Sequence, residues 1–123
     1  MTFLYICTMK QNNPILKGSL TLIILKLLEE KGAMYGYEIC QQVKEITDNT
    51  LQITEGALYP ALHKLEAEGT ISSYTETIEG RTRKYYKLTP EGSNVVKVRV
   101  QEFLDTLKSV ESILSLQSKL KTI

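Results

Sequence analysis

The sequence predicts a mainly α-helical fold with one small β-hairpin, and three observations carry that expectation. Apolar residues recur at helical spacing in four separate stretches between Leu20 and Leu114. Two runs rich in Thr, Tyr and Ile, 70–77 and 82–89, flank a Glu79-Gly80 pair as hairpin strands flank a turn. The 123 residues make one ordinary domain, and 42% hydrophobic with 24% charged residues excludes both a disordered tail and a membrane bundle.

Gly18-Ser19 opens the first helix, with Leu20, Ile23, Ile24, Leu27 and Leu28 on one face. Leu22 and Leu25 widen that face, so this helix is expected to be the central, most buried element. Lys31-Gly32 ends it. Met34-Tyr35-Gly36 reads as a connector, Tyr35 as core packing, and Gly36 as the cap of a second helix. That helix sets Ile39, Cys40, Val43 and Ile46 on one face and charged or amide side chains on the other. Thr47-Asp48-Asn49-Thr50 is turn chemistry. Thr54 is the N-cap of the third helix, Glu55 complements its dipole, and Leu58, Leu62 and Leu65 form its core stripe. Pro60 inside it predicts a kink or a loosened first turn, and Gly69 is its stop.

After the hairpin, Pro90-Glu91 starts a long helix. Val96, Val100, Phe103, Leu107, Val110 and Leu114 alternate spacings of four and three, a heptad seam that Gln117 breaks. One amphipathic helix of this length cannot hide such a seam in a small domain, so a second chain is expected on it. Three helices, a two-stranded hairpin and a long helix follow the winged helix-turn-helix plan, with the hairpin as the wing. The expected division is an N-terminal lead-in over residues 1–15, a winged-helix domain over 16–89 and a dimerisation helix over 90–123.

Fifteen Lys and Arg against fourteen Asp and Glu leave a net charge of +1, so a nucleic-acid partner must be argued from placement. Residues 28–69 hold eight acidic and three basic groups, whereas the hairpin holds Arg81, Arg83, Lys84 and Lys87 against Glu76 and Glu79. Three of those four cations lie within four residues, interleaved with Tyr85 and Tyr86, which suits phosphate or minor-groove contact. The bland alternative is an edge strand guarded by charge. Alternation turns Tyr86 and Leu88 inward and Arg83, Tyr85 and Lys87 outward.

On the third helix, the face opposite the leucines carries Glu55, Tyr59 and His63, with Gly56, Pro60 and Lys64 alongside. Tyr59, His63 and Lys64 offer donors to phosphate or base edges; the alternative is an ordinary solvated face. Tyr37, at a helix N-terminus, could add a hydroxyl to a phosphate held by free amides.

Catalysis has little support. His63 is the lone histidine, with no nucleophile pattern beside it, no phosphate-cradling glycine loop and no metal-ligand spacing. No cofactor or metal is expected. The opening Met1–Cys7 lacks a basic region and a long apolar core, so no secretory leader is expected, and translation could begin at Met1 or Met9. No apolar run approaches the roughly 20 residues of a membrane span. Two cysteines without partner clusters, Cys7 and Cys40, point to a reducing, cytoplasmic setting, with Cys40 an inert thiol on an apolar face.

Four motifs in order carry a further inference: Met34-Tyr-Gly-Tyr-Glu-Ile39; Thr54-Glu-Gly-Ala-Leu-Tyr-Pro-Ala-Leu-His-Lys-Leu-Glu66; Glu68-Gly69; and Gly80-Arg-Thr-Arg-Lys-Tyr-Tyr-Lys-Leu-Thr-Pro-Glu-Gly92. With Leu16-Lys-Gly-Ser-Leu20 they resemble the PadR family of bacterial transcriptional regulators, from about Leu16 into the last helix. The resemblance implies a dimeric winged-helix repressor on double-stranded DNA, with its C-terminal helix at the dimer contact. It places the recognition segment on Thr54, Glu55, Gly56, Tyr59, Pro60, His63 and Lys64, the wing on Arg81, Arg83 and Lys84, and a backbone contact on Tyr37. The acidic excess of the third helix assigns affinity mainly to the wing and helix termini, and sequence choice to Tyr59 and His63. Thirty-four residues follow Thr89, as in the short subfamily. Some relatives respond to phenolic acids or planar drugs held between subunits. This chain has no tryptophan for an indole-lined pocket, and no residue identifies a small-molecule effector. The rival reading is a winged-helix module for protein–protein association whose wing charges only keep it soluble.

Overall fold

Among residues 13–117, which the computed structural model describes, the chain forms four helices and one three-stranded antiparallel sheet. The elements are α1 (Pro14–Lys31), β1 (Met34–Tyr35), α2 (Gly36–Ile46), α3 (Glu55–Glu68), β2 (Ile71–Ile78), β3 (Arg81–Leu88) and α4 (Pro90–Leu114). Most of the expected lead-in, with Cys7 and both candidate start codons' residues, lies outside the described residues.

Helix α1 begins a turn earlier than the apolar pattern indicates. Asn13 caps it by accepting from the amides of Ile15 and Leu16, and Pro14 needs no N–H at the first position. Gly18-Ser19, expected to open the helix, sits inside it, and the Ser19 hydroxyl donates back to the Ile15 carbonyl at 2.6 Å. The expectation of a central α1 holds: Ile24 and Leu25 are fully buried, with Leu16, Leu20, Leu27 and Leu28 close behind. Against them pack Ile39 and Val43 of α2, the Leu58–Leu62–Leu65 stripe of α3, Ile71 and Tyr86 from the sheet, and Val96 of α4.

The connector at Met34–Tyr35 is a strand, not a loop. It pairs with β3 through Met34–Tyr86 and Tyr35–Tyr85, giving the order β1-β3-β2. The cap of α2 is Tyr35, not Gly36: the Glu38 carboxylate accepts from the Tyr35 amide at 3.1 Å. The turn between α2 and α3 is held by Thr47, whose hydroxyl donates to the Val43 carbonyl and accepts from the Leu51 amide. Asp48 and Asn49 there adopt left-handed backbone, which their side chains tolerate best after glycine. Helix α3 runs on through Pro60 without a break. The hairpin closes in two residues, Glu79 and Gly80, both at positive φ, with Ile78 opposite Arg81.

The junction of α3, sheet and α4 is a lock built on Thr70. Its hydroxyl donates to the Leu65 carbonyl at 3.0 Å, and its carbonyl accepts from the Thr89 amide at 3.1 Å. Thr89 caps α4 by accepting from Gly92 N–H at 3.0 Å and donates its own hydroxyl to the Gly69 carbonyl at 2.7 Å. A Cβ at Gly92 would overlap the Thr70 carbonyl oxygen. Gly92→Ala is therefore expected to destabilise the fold by about 1–3 kcal/mol, since backbone must shift rather than a side chain tip. Urea unfolding checks this, and an unchanged midpoint at unchanged slope would contradict it.

Helix α4 divides the predicted seam. Val96 is fully buried in the chain's own core, and Val100 packs against that core. Phe103 lines a shallow cleft between α1 and α4 with Thr21 and Leu22. Beyond it the helix leaves the domain: Leu107, Val110 and Leu114 are 38%, 43% and 78% exposed, flanked by exposed Leu104 and Ile113. The helix ends at Leu114, before Gln117.

Candidate nucleic-acid interface

The N-cap Thr54 accepts from the Ala57 amide at 3.2 Å, fixing where α3 starts and hence which residues face outward. With Leu58, Leu62 and Leu65 turned to the core, Thr54, Glu55, Gly56, Tyr59, Pro60, His63 and Lys64 are all exposed. Among the described residues, neither His63 nor Lys64 has a carboxylate partner.

Tyr59 is less free than its neighbours. Its ring leans on the start of α2, where a Cβ at Gly36 would sit 2.5 Å from the tyrosine hydroxyl. Burial first, then the Glu55 carboxylate, push its hydroxyl pKa above the ordinary value, so it stays protonated at neutral pH. Burial and Glu55 raise the neighbouring Cys40 thiol in the same way, consistent with an unreactive half-buried cysteine.

The wing places its cations on two faces. Arg83 lies on the outer face of β3, and Arg81 stands at the tip beside the turn. Lys84 lies on the inner face and reaches the Glu66 carboxylate of α3 at 3.9 Å, with its ammonium 5.5 Å from the centre of the Tyr86 ring. Glu66 also accepts from the Ser73 hydroxyl at 2.5 Å. One acidic group of α3 is thus turned toward the sheet, away from the helix's outward face. Among the described residues Arg81, Arg83 and Lys87 have no carboxylate within 4.0 Å, so their charge is uncommitted.

Arg83 is also joined to α2. Its guanidinium carbon lies 4.7 Å from the centre of the Tyr35 ring, and Tyr35 stacks at 6.4 Å on Tyr37, which is 57% exposed. The fold thereby gathers Tyr59, Tyr37 and Arg83 around the N-terminus of α2. Arg81 stands apart at the wing tip, and His63 and Lys64 lie farther along α3. Sequence reasoning missed Tyr35, because a two-residue strand has no periodicity to read. The alternation that turns Arg83 outward did place Tyr85 beside it.

Residues 24–98, from mid-α1 through the wing into α4, match the Transcriptional regulator PadR-like family. The chain belongs to the PadR-like transcriptional regulators. A transcriptional regulator from Clostridium thermocellum superposes with a TM-score of 0.73 at 39% identity, covering 80% of this chain and 95% of that one. A PadR family transcription regulator from Clostridium difficile superposes with a TM-score of 0.68 at 34% identity, covering 79% and 99%. An uncharacterized protein of Lysinibacillus sphaericus is 36% identical over 98 residues, 79% of this chain and 89% of its own length. The winged helix-turn-helix plan read from the element order is the fold of these PadR structures, and the PadR-like regulator is not an enzyme. No helix among the described residues is long and apolar enough to cross a membrane.

Proposed function

We propose that this PadR-like regulator is a cytoplasmic homodimer that binds a roughly palindromic operator and represses transcription. The observation that carries the reading is the uncommitted pair Arg81 and Arg83 on a wing joined to the N-terminus of α2 and to an exposed, polar α3. In this reading Arg81, Arg83 and Tyr37 meet phosphates, with Lys84 contributing less because Glu66 already engages it. Thr54, Glu55, Gly56 and Pro60 set how closely α3 approaches the groove, Lys64 meets a phosphate, and Tyr59 and His63 read base edges. Two copies paired along Leu107, Val110 and Leu114, with Val100 and Phe103 at the margin, place their α3 helices about 34 Å apart, one helical turn of DNA.

The test is fluorescence anisotropy with a duplex taken from upstream of the protein's own gene against a scrambled duplex. Tighter binding to the first, falling steeply with salt, supports the reading; equal absence of binding to both at low salt contradicts it. A second measurement addresses base reading. His63→Ala is expected to change which sequences the protein selects from a random pool, at about 1–3 kcal/mol for the contacted position. Tyr59→Ala is expected to do the same at a different position. Uniform weakening on all sequences would argue against either residue as a reader.

A further inference from the structure

The outer face of the sheet carries a row of tyrosines beside the residues placed against DNA. Tyr35, Tyr85 and Tyr74 lie in register across β1, β3 and β2, forming one row of rings. Tyr74 and Tyr85 stack with centroids 5.6 Å apart and planes 13° from parallel, while Tyr85 meets Tyr35 edge-on at 5.5 Å. Arg83 lies two residues from Tyr85 on the same face, over the Tyr35 ring, and Lys87 lies on the other side, 5.6 Å from Tyr74. None of these rings is in the core; Tyr86, of the opposite phase, fills that role.

We propose that Tyr35 and Tyr85 are positioning residues for DNA binding, which clamp the Arg83 guanidinium between wing and α2 so that both meet the duplex as one preorganised surface. An arginine on a free hairpin would lose rotamer freedom on binding. A guanidinium already stacked on an aromatic face has given up much of that freedom before DNA arrives. Attraction to the Tyr85 side chain first, then to Tyr35, also favours the charged guanidinium. The clamp joins elements far apart in sequence, and Tyr37 extends it by stacking on Tyr35. Tyr35 thus ties the wing cation to the helix whose N-terminus stands beside it.

This inference rests on the DNA-binding reading, so its test has one arm that involves no DNA. In the free protein, NMR should show the Arg83 side-chain protons shifted upfield by the Tyr35 ring current, a shift kept in Tyr35→Phe and lost in Tyr35→Leu. With a random-sequence 40-base-pair duplex at low salt, Tyr35→Leu and Tyr85→Leu should each weaken binding about two- to five-fold, and Tyr35→Phe should restore it. In an Arg83→Ala background Tyr35→Leu should lose most of its effect, the remainder passing through Tyr37, whereas a merely structural role would weaken binding equally in both backgrounds. Tyr85→Leu serves equally if Tyr35→Leu unfolds. Arg83 protons that do not respond to Tyr35→Leu, or equal loss in both backgrounds, would overturn the clamp. A ring-shifted Arg83 in a protein that binds no duplex would overturn the DNA reading and the clamp's proposed purpose, while leaving the clamp's geometry intact.

Discussion

Leu107→Asp is expected to convert a dimer into a monomer in sedimentation and to abolish operator binding with it. In the single chain Leu107 shares an exposed apolar strip with Val110 and Leu114, flanked by exposed Leu104 and Ile113. Each such side chain contributes about 1.5–3 kcal/mol when fully removed from water. A two-fold interface presents every position twice, so one substitution puts two carboxylates into the strip, where an unpaired charge is costly. The monomer should stay folded, because the core rests on Val96 and on α1 to α3 rather than on the distal part of α4. An intact dimer at micromolar concentration would show that the strip is not the interface. An unfolded monomer would instead show that the pairing is obligate for folding.

Replacing Arg81 and Arg83 together with alanine should have the other large effect. A dimer carries each arginine twice, so four phosphate contacts disappear. The slope of log affinity against log salt should then become shallower by about 3.6, at roughly 0.9 for each contact. At ~1 kcal/mol for each contact the affinity at low salt falls about a thousand-fold. The loss should be similar on operator and scrambled duplexes, since phosphates carry no sequence information. Lys84→Ala should do less, because that ammonium already lies beside Glu66. An unchanged salt slope in the double variant would remove the wing from the contact surface.

Much of the fold was legible because it is written in local periodicities. The leucine stripe of α3, the cap at Thr54, the two-residue turn at Glu79-Gly80 and the Pro90 start of α4 each depend on residues a few positions apart. The start of α1 is not legible in the apolar run, because its signals, Asn13 and Pro14, precede that run. Strand β1 is not legible because two residues show no alternation, and its partner β3 lies about fifty residues away in sequence. Tyr35 reads locally as core packing for the same reason: its surroundings are set by Tyr85 and Arg83, distant in sequence. The seam on α4 is continuous in the sequence, yet a heptad pattern does not say which partner fills it. Val96 serves the chain's own core, and Leu107 to Leu114 are left outside it.

Net charge +1 is a sum over segments that the fold arranges separately. The element types, their order, the four motifs and the concentration of cations on the hairpin are properties of neighbours along the chain, and so can be read without the fold. Which charges are spoken for depends on the packing: Lys84 is drawn to Glu66, whereas Arg83 is stacked on Tyr35 with no carboxylate within salt-bridge distance among the described residues. The reason is physical. Coulombic and cation–π attraction depend on distances of a few ångströms between groups that the chain separates by many residues, and packing of the core sets those distances.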